Sequence, residues 1–239
     1  MRLFAVLRER AGRAELTLED LPGELDMGGL KCELEARFPD LGALEHVAGV
    51  VGTEYVPDAH KLCEGDQVSL LPPVSGGAPE GAEADGADGT DGEAGLAAGV
   101  FELSADPLDP GALGRRVGHP ACGATVVFTG STRDFNRGQA VRQLDYEAFD
   151  EMAGPEMARI FADCRERFGL DEPRLRMLCA HRIGRVGVGE PSVVIAVASP
   201  HRVTAFEAAR FLIDTLKERL PVWKKELYGD GHHWIGDRS

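Results

Sequence analysis

No apolar run in the 239-residue chain approaches the roughly 18 residues that span a bilayer. The N-terminal apolar stretch, Leu3 to Leu7, stops at Arg8-Glu9-Arg10. That is too short for the core of a secretory signal, so the expected location is cytoplasmic, with no membrane partner. Cysteine is scarce. Cys32, Cys63, Cys122, Cys164 and Cys179 form no CxxC pair and their number is odd, which argues against a disulfide framework or a zinc finger. They are expected to be small buried hydrophobes. His232-His233 lacks an HExxH context or a cysteine partner, and no metal is expected. Bases are outnumbered, 26 Lys/Arg against 40 Asp/Glu. Without a general positive field to neutralise phosphates, nucleic acid is not an expected partner.

The acidity that is present is uneven. Residues 1–77 hold 7 bases and 14 acids, residues 78–99 hold 6 acids and no base, and residues 100–239 are nearly balanced at 19 against 20. The middle stretch is almost wholly Ala, Gly, Asp and Glu, with Leu96 its one large apolar residue. Such a segment buries too little surface to offset its ordering entropy. It is expected to be a flexible acidic linker between a small domain, 1–77, and a larger one, 100–239.

The front domain reads β-β-α-β-β. Arg2 to Leu7 is a strand and Glu15 to Leu18 its hairpin partner. Leu30, Leu34 and Phe38 recur at helical spacing before Pro39, and Val47–Val56 and Gln67–Leu71 are further strands. One helix over one sheet is an α+β grasp. Its end is distinctive: Pro72-Pro73 stiffens the exit, and Val74-Ser75-Gly76-Gly77 tapers to a thread without side chains. That is the form of a ubiquitin-like carrier whose terminal glycine carboxylate is activated and inserted into a narrow channel. A plain hinge is the bland alternative.

The back domain reads as α/β, with helices over Pro110–Val117, Met152–Phe168 and Phe206–Leu220, and strands over Ala124–Phe128, Val141–Tyr146, Leu175–Ala180 and Ser192–Ala198. Three clusters could carry chemistry. Ser199-Pro200-His201-Arg202 opens the last helix, with Ser199 as its expected N-cap. Free N–H groups, a histidine and an arginine together suit an anion such as phosphate. Lys217, Lys224 and Lys225 flank Pro221 and Trp223, and a partly desolvated lysine can serve in acid–base or nucleophilic work. The loop Phe128-Thr129-Gly130-Ser131-Thr132-Arg133-Asp134-Phe135-Asn136-Arg137-Gly138 is either a hairpin with two surface arginines or an anion grip centred on Arg133. Gly184-Arg185-Val186-Gly187-Val188-Gly189 precedes a strand, so it does not fit a phosphate-binding turn.

These residues carry a resemblance. Leu71-Pro72-Pro73-Val74-Ser75-Gly76-Gly77, with Phe4-Ala5 and Arg8-Glu9, resembles the small sulfur-carrier subunit of molybdopterin synthase. Phe128-Thr129-Gly130 with Arg133, Tyr146-Glu147, His181-Arg182-Ile183-Gly184, His201-Arg202 with Ala205-Phe206, Asp214 with Lys217, and Pro221-Val222-Trp223-Lys224-Lys225-Glu226 with Trp234 resemble its large catalytic subunit. The fold this implies is a ubiquitin-like β-grasp followed by a two-layer α/β domain.

The resemblance implies a sulfurtransferase. A separate adenylating enzyme, using ATP, would activate Gly77, and sulfur would be carried as its thiocarboxylate with no bound cofactor. The acceptor would be cyclic pyranopterin monophosphate. Lys217 and Lys224 would be the catalytic lysines beside Gly77. Ser131, Thr132, Arg133, His201, Arg202, Lys225 and Glu226 would line the pterin-phosphate site, bordered by Phe128 and Arg238.

Two departures from the family pattern stand out. Gly77 is followed by Ala78 rather than ending the chain, so a processing protease must cut after Gly77. Gly52 stands where a polar residue is expected. Left uncut, the chain would be a non-enzymatic fusion whose grasp domain occupies the catalytic one. A phosphate hydrolase is a further alternative, but no nucleophile–base pair is evident for it. His201 and Lys217 are 16 positions apart on one continuous helix, about 24 Å at ~1.5 Å per residue. A site using both is expected to be shared across a homodimer of back domains.

Overall fold

The computed structural model describes residues 1–21, 23–74, 93–136, 138–169, 174–229 and 231–235. The chain divides into two compact units, one comprising Met1–Glu83 with Trp234–Ser239 and the other Ala84–His233.

In the front unit β1 (Arg2–Leu3) is followed at once by a helix, α1 (Ala5–Ala11). The expected strand to Leu7 is therefore cut short. Phe4-Ala5-Val6-Leu7 is apolar without alternation, a pattern that periodicity cannot assign, and the Arg8-Glu9-Arg10-Ala11 that follows favours helix. Gly12, at φ 66°, closes α1 in the left-handed conformation. The expected hairpin partner survives as a short pairing. Leu3 N–H donates to Ala14 O (2.7 Å) and Leu16 N–H to Met1 O (3.0 Å), around an antiparallel Arg2–Glu15 bridge.

Helix α2 (Met27–Arg37) is capped by Asp26, whose Oδ1 accepts from Gly29 N–H at 2.7 Å. Strands β2 (Ala48–Val51), β3 (Glu54–Val56) and β4 (Val68–Leu71) complete a sheet ordered β1-β4-β2-β3, with β1 parallel to β4. The turn between β2 and β3 holds Gly52 at φ 63°, so glycine there suits the backbone. Met27, Leu30 and Leu34 pack onto Leu3, Leu16 and Leu70 as one core. This is a ubiquitin-like grasp. Gly77 lies outside the described residues.

The back unit starts earlier than the acidic composition suggests. Helix α3 (Glu93–Ala98) lies inside the expected linker, and Leu96 is buried against Val100, Leu113 and Leu178. A docking surface lets Leu96 contribute burial that the Ala/Gly-rich stretch lacks by itself. Then come β5 (Val100–Ser104), α4 (Pro110–Val117), β6 (Ala124–Ser131), β7 (Phe135–Asn136), β8 (Gln139–Ala140), β9 (Gln143–Ala148) and α5 (Asp150–Phe168). They are followed by β10 (Arg176–Arg182), β11 (Gly184–Gly187), β12 (Pro191–Ser199), α6 (Arg202–Arg219), β13 (Val222–Leu227) and β14 (His232–Ile235).

The main sheet is ordered β5-β10-β12-β6. Met157, Ile160 and Phe161 of α5 and Leu212 and Leu216 of α6 cover one face. Helices α3 and α4 add a thin layer on the other. That double cover explains the unbroken apolar runs Met177–Ala180 in β10 and Val193–Ala198 in β12. Met152 and Met157 are fully buried core residues, but Phe206, expected in the α6 stripe, is 63% exposed. The stripe is centred on Ala205, Ala208, Ala209 and Leu212, and Phe206 lies about 100° around the helix from Ala205. Of the cysteines only Cys164 and Cys179 are buried, whereas Cys32 and Cys63 are exposed. A second sheet, also four-stranded, is ordered β11-β9-β13-β14.

Candidate active site

The candidate residues fall at two ends of the main sheet. In the β6–β12 ladder Pro191 faces Ser131 at one end and Ser199 faces Ala124 at the other. Ser131 to Arg133 therefore leave the sheet where β12 begins, and His201 and Arg202 follow where β12 ends. Seven residue steps separate Ala124 from Ser131 in β6, about 23 Å at ~3.3 Å per residue. Helix α6 runs unbroken over Arg202–Arg219 and packs back along β12. Its last turn, with Lys217, returns to the Ser131 end, and Leu220-Pro221 turns the chain into β13 and Lys224.

The opening of α6 differs from expectation. Ser199 is the last residue of β12 and fully buried, and the N-cap position is His201. Ser199 Oγ accepts from His201 N–H at 3.4 Å. His201 and Arg202 are exposed, as are Ser131, Arg133 and Lys217. Lys217 thus stands in water rather than in a desolvated pocket.

Lys224 is the more sheltered lysine, its side chain 30% exposed, and Nζ stands 3.1 Å from Oε1 of Glu226, which is 3% exposed. Side chains alternate across a strand, so Lys224 and Glu226 share one face of β13 and Lys225 takes the other. Lys225 is paired with Asp145 in the register, away from the Lys224 face.

Glu226 Oε2 accepts from Asn136 Nδ2 (2.7 Å) and from the Tyr228 hydroxyl. Burial pushes this carboxyl up. The Tyr228 and Asn136 hydrogen bonds and the Lys224 charge outweigh it and hold Glu226 below the usual carboxylate range. Tyr146 of β9 stands opposite Lys224. Burial pushes its phenol up, the Glu226 charge adds to this, and a hydrogen bond with Ser192 opposes it. The Ser192 hydroxyl donates to Gly130 O at 3.1 Å, between the adjoining ends of β12 and β6 in the main sheet.

His181 packs edge-on to Tyr146 with ring centroids 5.0 Å apart. Thr132 is buried, and its hydroxyl has no hydrogen-bond partner among the described residues. Phe128 is half-buried against the main core, three positions before Ser131. Arg238, like Gly77, lies outside the described residues.

The fold thus gathers Ser131–Arg133, Lys217, Lys224 and Glu226 at one end and leaves His201 and Arg202 at the other. Sequence reasoning assigned no role to Asn136, Tyr146, Ser192 or Tyr228. Tyr146 belonged to a quoted motif and Asn136 to the quoted loop. The others become visible only when β6, β9, β12 and β13 converge.

A ubiquitin-like grasp joined to an α/β domain that offers lysines beside a basic loop defines a carrier-plus-transferase class of protein. Residues 103–219 match the model of the MoaE protein family, and residues 1–77 match that of the ThiS family. The back unit is 41% identical over 123 residues to a molybdopterin synthase catalytic subunit from Halalkalibacterium halodurans, covering 52% of this chain and 76% of that protein. It is 37% identical over 138 residues to the one from Bacillus subtilis, covering 58% and 85%. A Drosophila willistoni protein of the same name is 47% identical over 129 residues, and the match spans 54% of this chain but only 34% of that protein. The crystal structure of molybdopterin synthase from Staphylococcus aureus superposes with a TM-score of 0.53 at 35% identity, over 56% of this chain and 95% of that one. The chain belongs to the molybdopterin synthase catalytic-subunit family, and its ThiS-family region precedes the catalytic-subunit region in sequence.

Proposed function

We propose that this chain is a self-contained molybdopterin synthase: after cleavage behind Gly77, the Gly77 thiocarboxylate delivers sulfur to cyclic pyranopterin monophosphate, and two rounds form the dithiolene of molybdopterin. The observation that carries the reading is the gathering of Lys217, Lys224 and the Ser131–Arg133 segment at one end of the main sheet. Thiocarboxylate and cyclic phosphate are both anions, so cations must offset their repulsion as they meet. Arg133 offers a planar fork to the phosphate. Lys224, anchored on Glu226, offers a charge of fixed position, and exposed Lys217 is free to approach the glycine tail. Either lysine can protonate a departing oxygen.

Cleavage is part of the proposal because an adenylating enzyme, spending ATP, needs a carboxylate, and the Gly77–Ala78 peptide bond offers none. The partners are that enzyme, a processing protease and the pterin. His201 and Arg202 complete the site from a second copy. Helix and strand independently put them about 23–24 Å from the lysine end, farther than one monophosphate pterin bridges. Two back domains related by a two-fold axis bring one chain's His201 and Arg202 to the other chain's lysines.

The test mixes a His201→Ala, Arg202→Ala chain with a Lys217→Ala chain, both carrying the processed Gly77 thiocarboxylate. Each alone is expected to be nearly inactive, and the heterodimer regains one intact site of two. No recovery in a verified heterodimer overturns the shared site. Full turnover by chains that intact mass proves uncut overturns the cleavage step.

A further inference from the structure

The segment between β6 and β9 is held at several points, and two of them, Thr132 and Asn136, stand on either side of Arg133. On one side Thr132 N–H donates to Glu190 O (3.1 Å) and Gly189 N–H donates to Thr132 O (2.8 Å). On the other, Asn136 Nδ2 donates to Glu226 Oε2 at 2.7 Å. Asn136 sits in the β7–β8 hairpin, opposite Gln139. The base of that hairpin is also tied by backbone bonds, from Val141 N–H to Asp134 O (2.8 Å) and from Arg142 N–H to Leu227 O (2.8 Å). The other Glu226 oxygen faces Lys224. One buried carboxylate is therefore shared between the loop bearing Arg133 and the strand bearing Lys224.

We propose that Asn136 is a positioning residue for sulfur transfer: its bond to Glu226 sets where Arg133 stands relative to Lys224. The inference rests on the sulfur-transfer reading above. Asn136 Nδ2 is bonded to the Glu226 carboxylate. It acts through the carboxylate, as a neutral donor on a charged acceptor, a bond whose loss leaves a buried oxygen one partner short. Aspartate at this position would set a second carboxylate at hydrogen-bond distance from the first. A residue that merely filled space in a hairpin would tolerate that near-isosteric change.

The experiment uses the full chain processed at Gly77, supplied as the thiocarboxylate, with cyclic pyranopterin monophosphate as the varied substrate. Asn136→Ala is expected to raise KM about tenfold and to change kcat much less. Asn136→Asp is expected to raise KM further. Combining Asn136→Asp with Glu226→Gln exchanges donor and acceptor, since the introduced amide can donate to the introduced carboxylate. KM should then fall well below that of Asn136→Asp alone, while kcat stays at the level of Glu226→Gln alone. Thermal melts establish that each variant is folded, and Asn136→Ala carries the test if the Asp variant is not. Wild-type KM in both single variants, or no KM recovery in the double variant, overturns the positioning role and leaves the sulfur-transfer reading intact. A wild-type chain that makes no product overturns that reading and this inference with it.

Discussion

Lowering the pH from 7 to 5 should cost the fold about 2 kcal/mol through one side chain, His181. The ring is 5% exposed. Its Nδ1 lies 2.7 Å from Arg182 O, so Nδ1–H donates and the neutral tautomer is fixed. Burial drives the pKa from 6.5 down to about 4, and the backbone hydrogen bond only partly opposes it. The sign follows from proton counting. Below about 6.5 the unfolded chain takes up a proton that the folded chain refuses, so stability falls with pH until the folded ring titrates near 4. Between pH 7 and 5 the difference amounts to about 2 kcal/mol. Glu226, held below its usual 4.5, contributes stability that is lost only at lower pH, outside this window. Urea unfolding of wild type and His181→Gln at pH 7, 6 and 5 is the assay. The variant is less stable at pH 7 because it loses packing on Tyr146, but it lacks the pH slope, so the gap should narrow by about 2 kcal/mol at pH 5. A gap that stays constant across the three values would refute the buried neutral histidine.

Leu96→Ala should destabilise the back unit by about 2–5 kcal/mol, because Leu96 is 1% exposed under β10; a thermal shift no larger than that of a surface substitution would return residues 93–98 to the linker. Lys217→Ala should greatly reduce molybdopterin formation with an unchanged melting temperature, since the side chain is exposed. Lys217→Arg separates charge from proton transfer, because arginine keeps its proton: near wild-type rates would mean that Lys217 supplies charge alone.

Much of the back unit was legible because its patterns are local. Asp109 followed by Pro110 marks the start of α4, and Pro221 marks the end of α6; both elements stand where those signals put them. The unbroken Val193–Ala198 run reads as a strand buried on both faces and is one. The chain itself thus determined the order of most elements, the two-unit plan and the residue types offered to an anion. Where the signal was ambiguous, packing chose. Leu3–Leu7 alternates too little to be a strand, and Leu96 looked isolated until a surface of β10 lay beneath it. The site belongs to this second kind of decision. Lys224 and Lys225 are neighbours in sequence with one chemistry, yet strand alternation sends them to opposite faces. Asn136 and Glu226 are 90 residues apart and meet at 2.7 Å. The separation of His201 from Lys217 could be measured along a helix in the sequence, because helical rise is fixed. That Ser131–Arg133 share the lysines' end was decided only by the register of β6 on β12, a long-range pairing that no local pattern encodes.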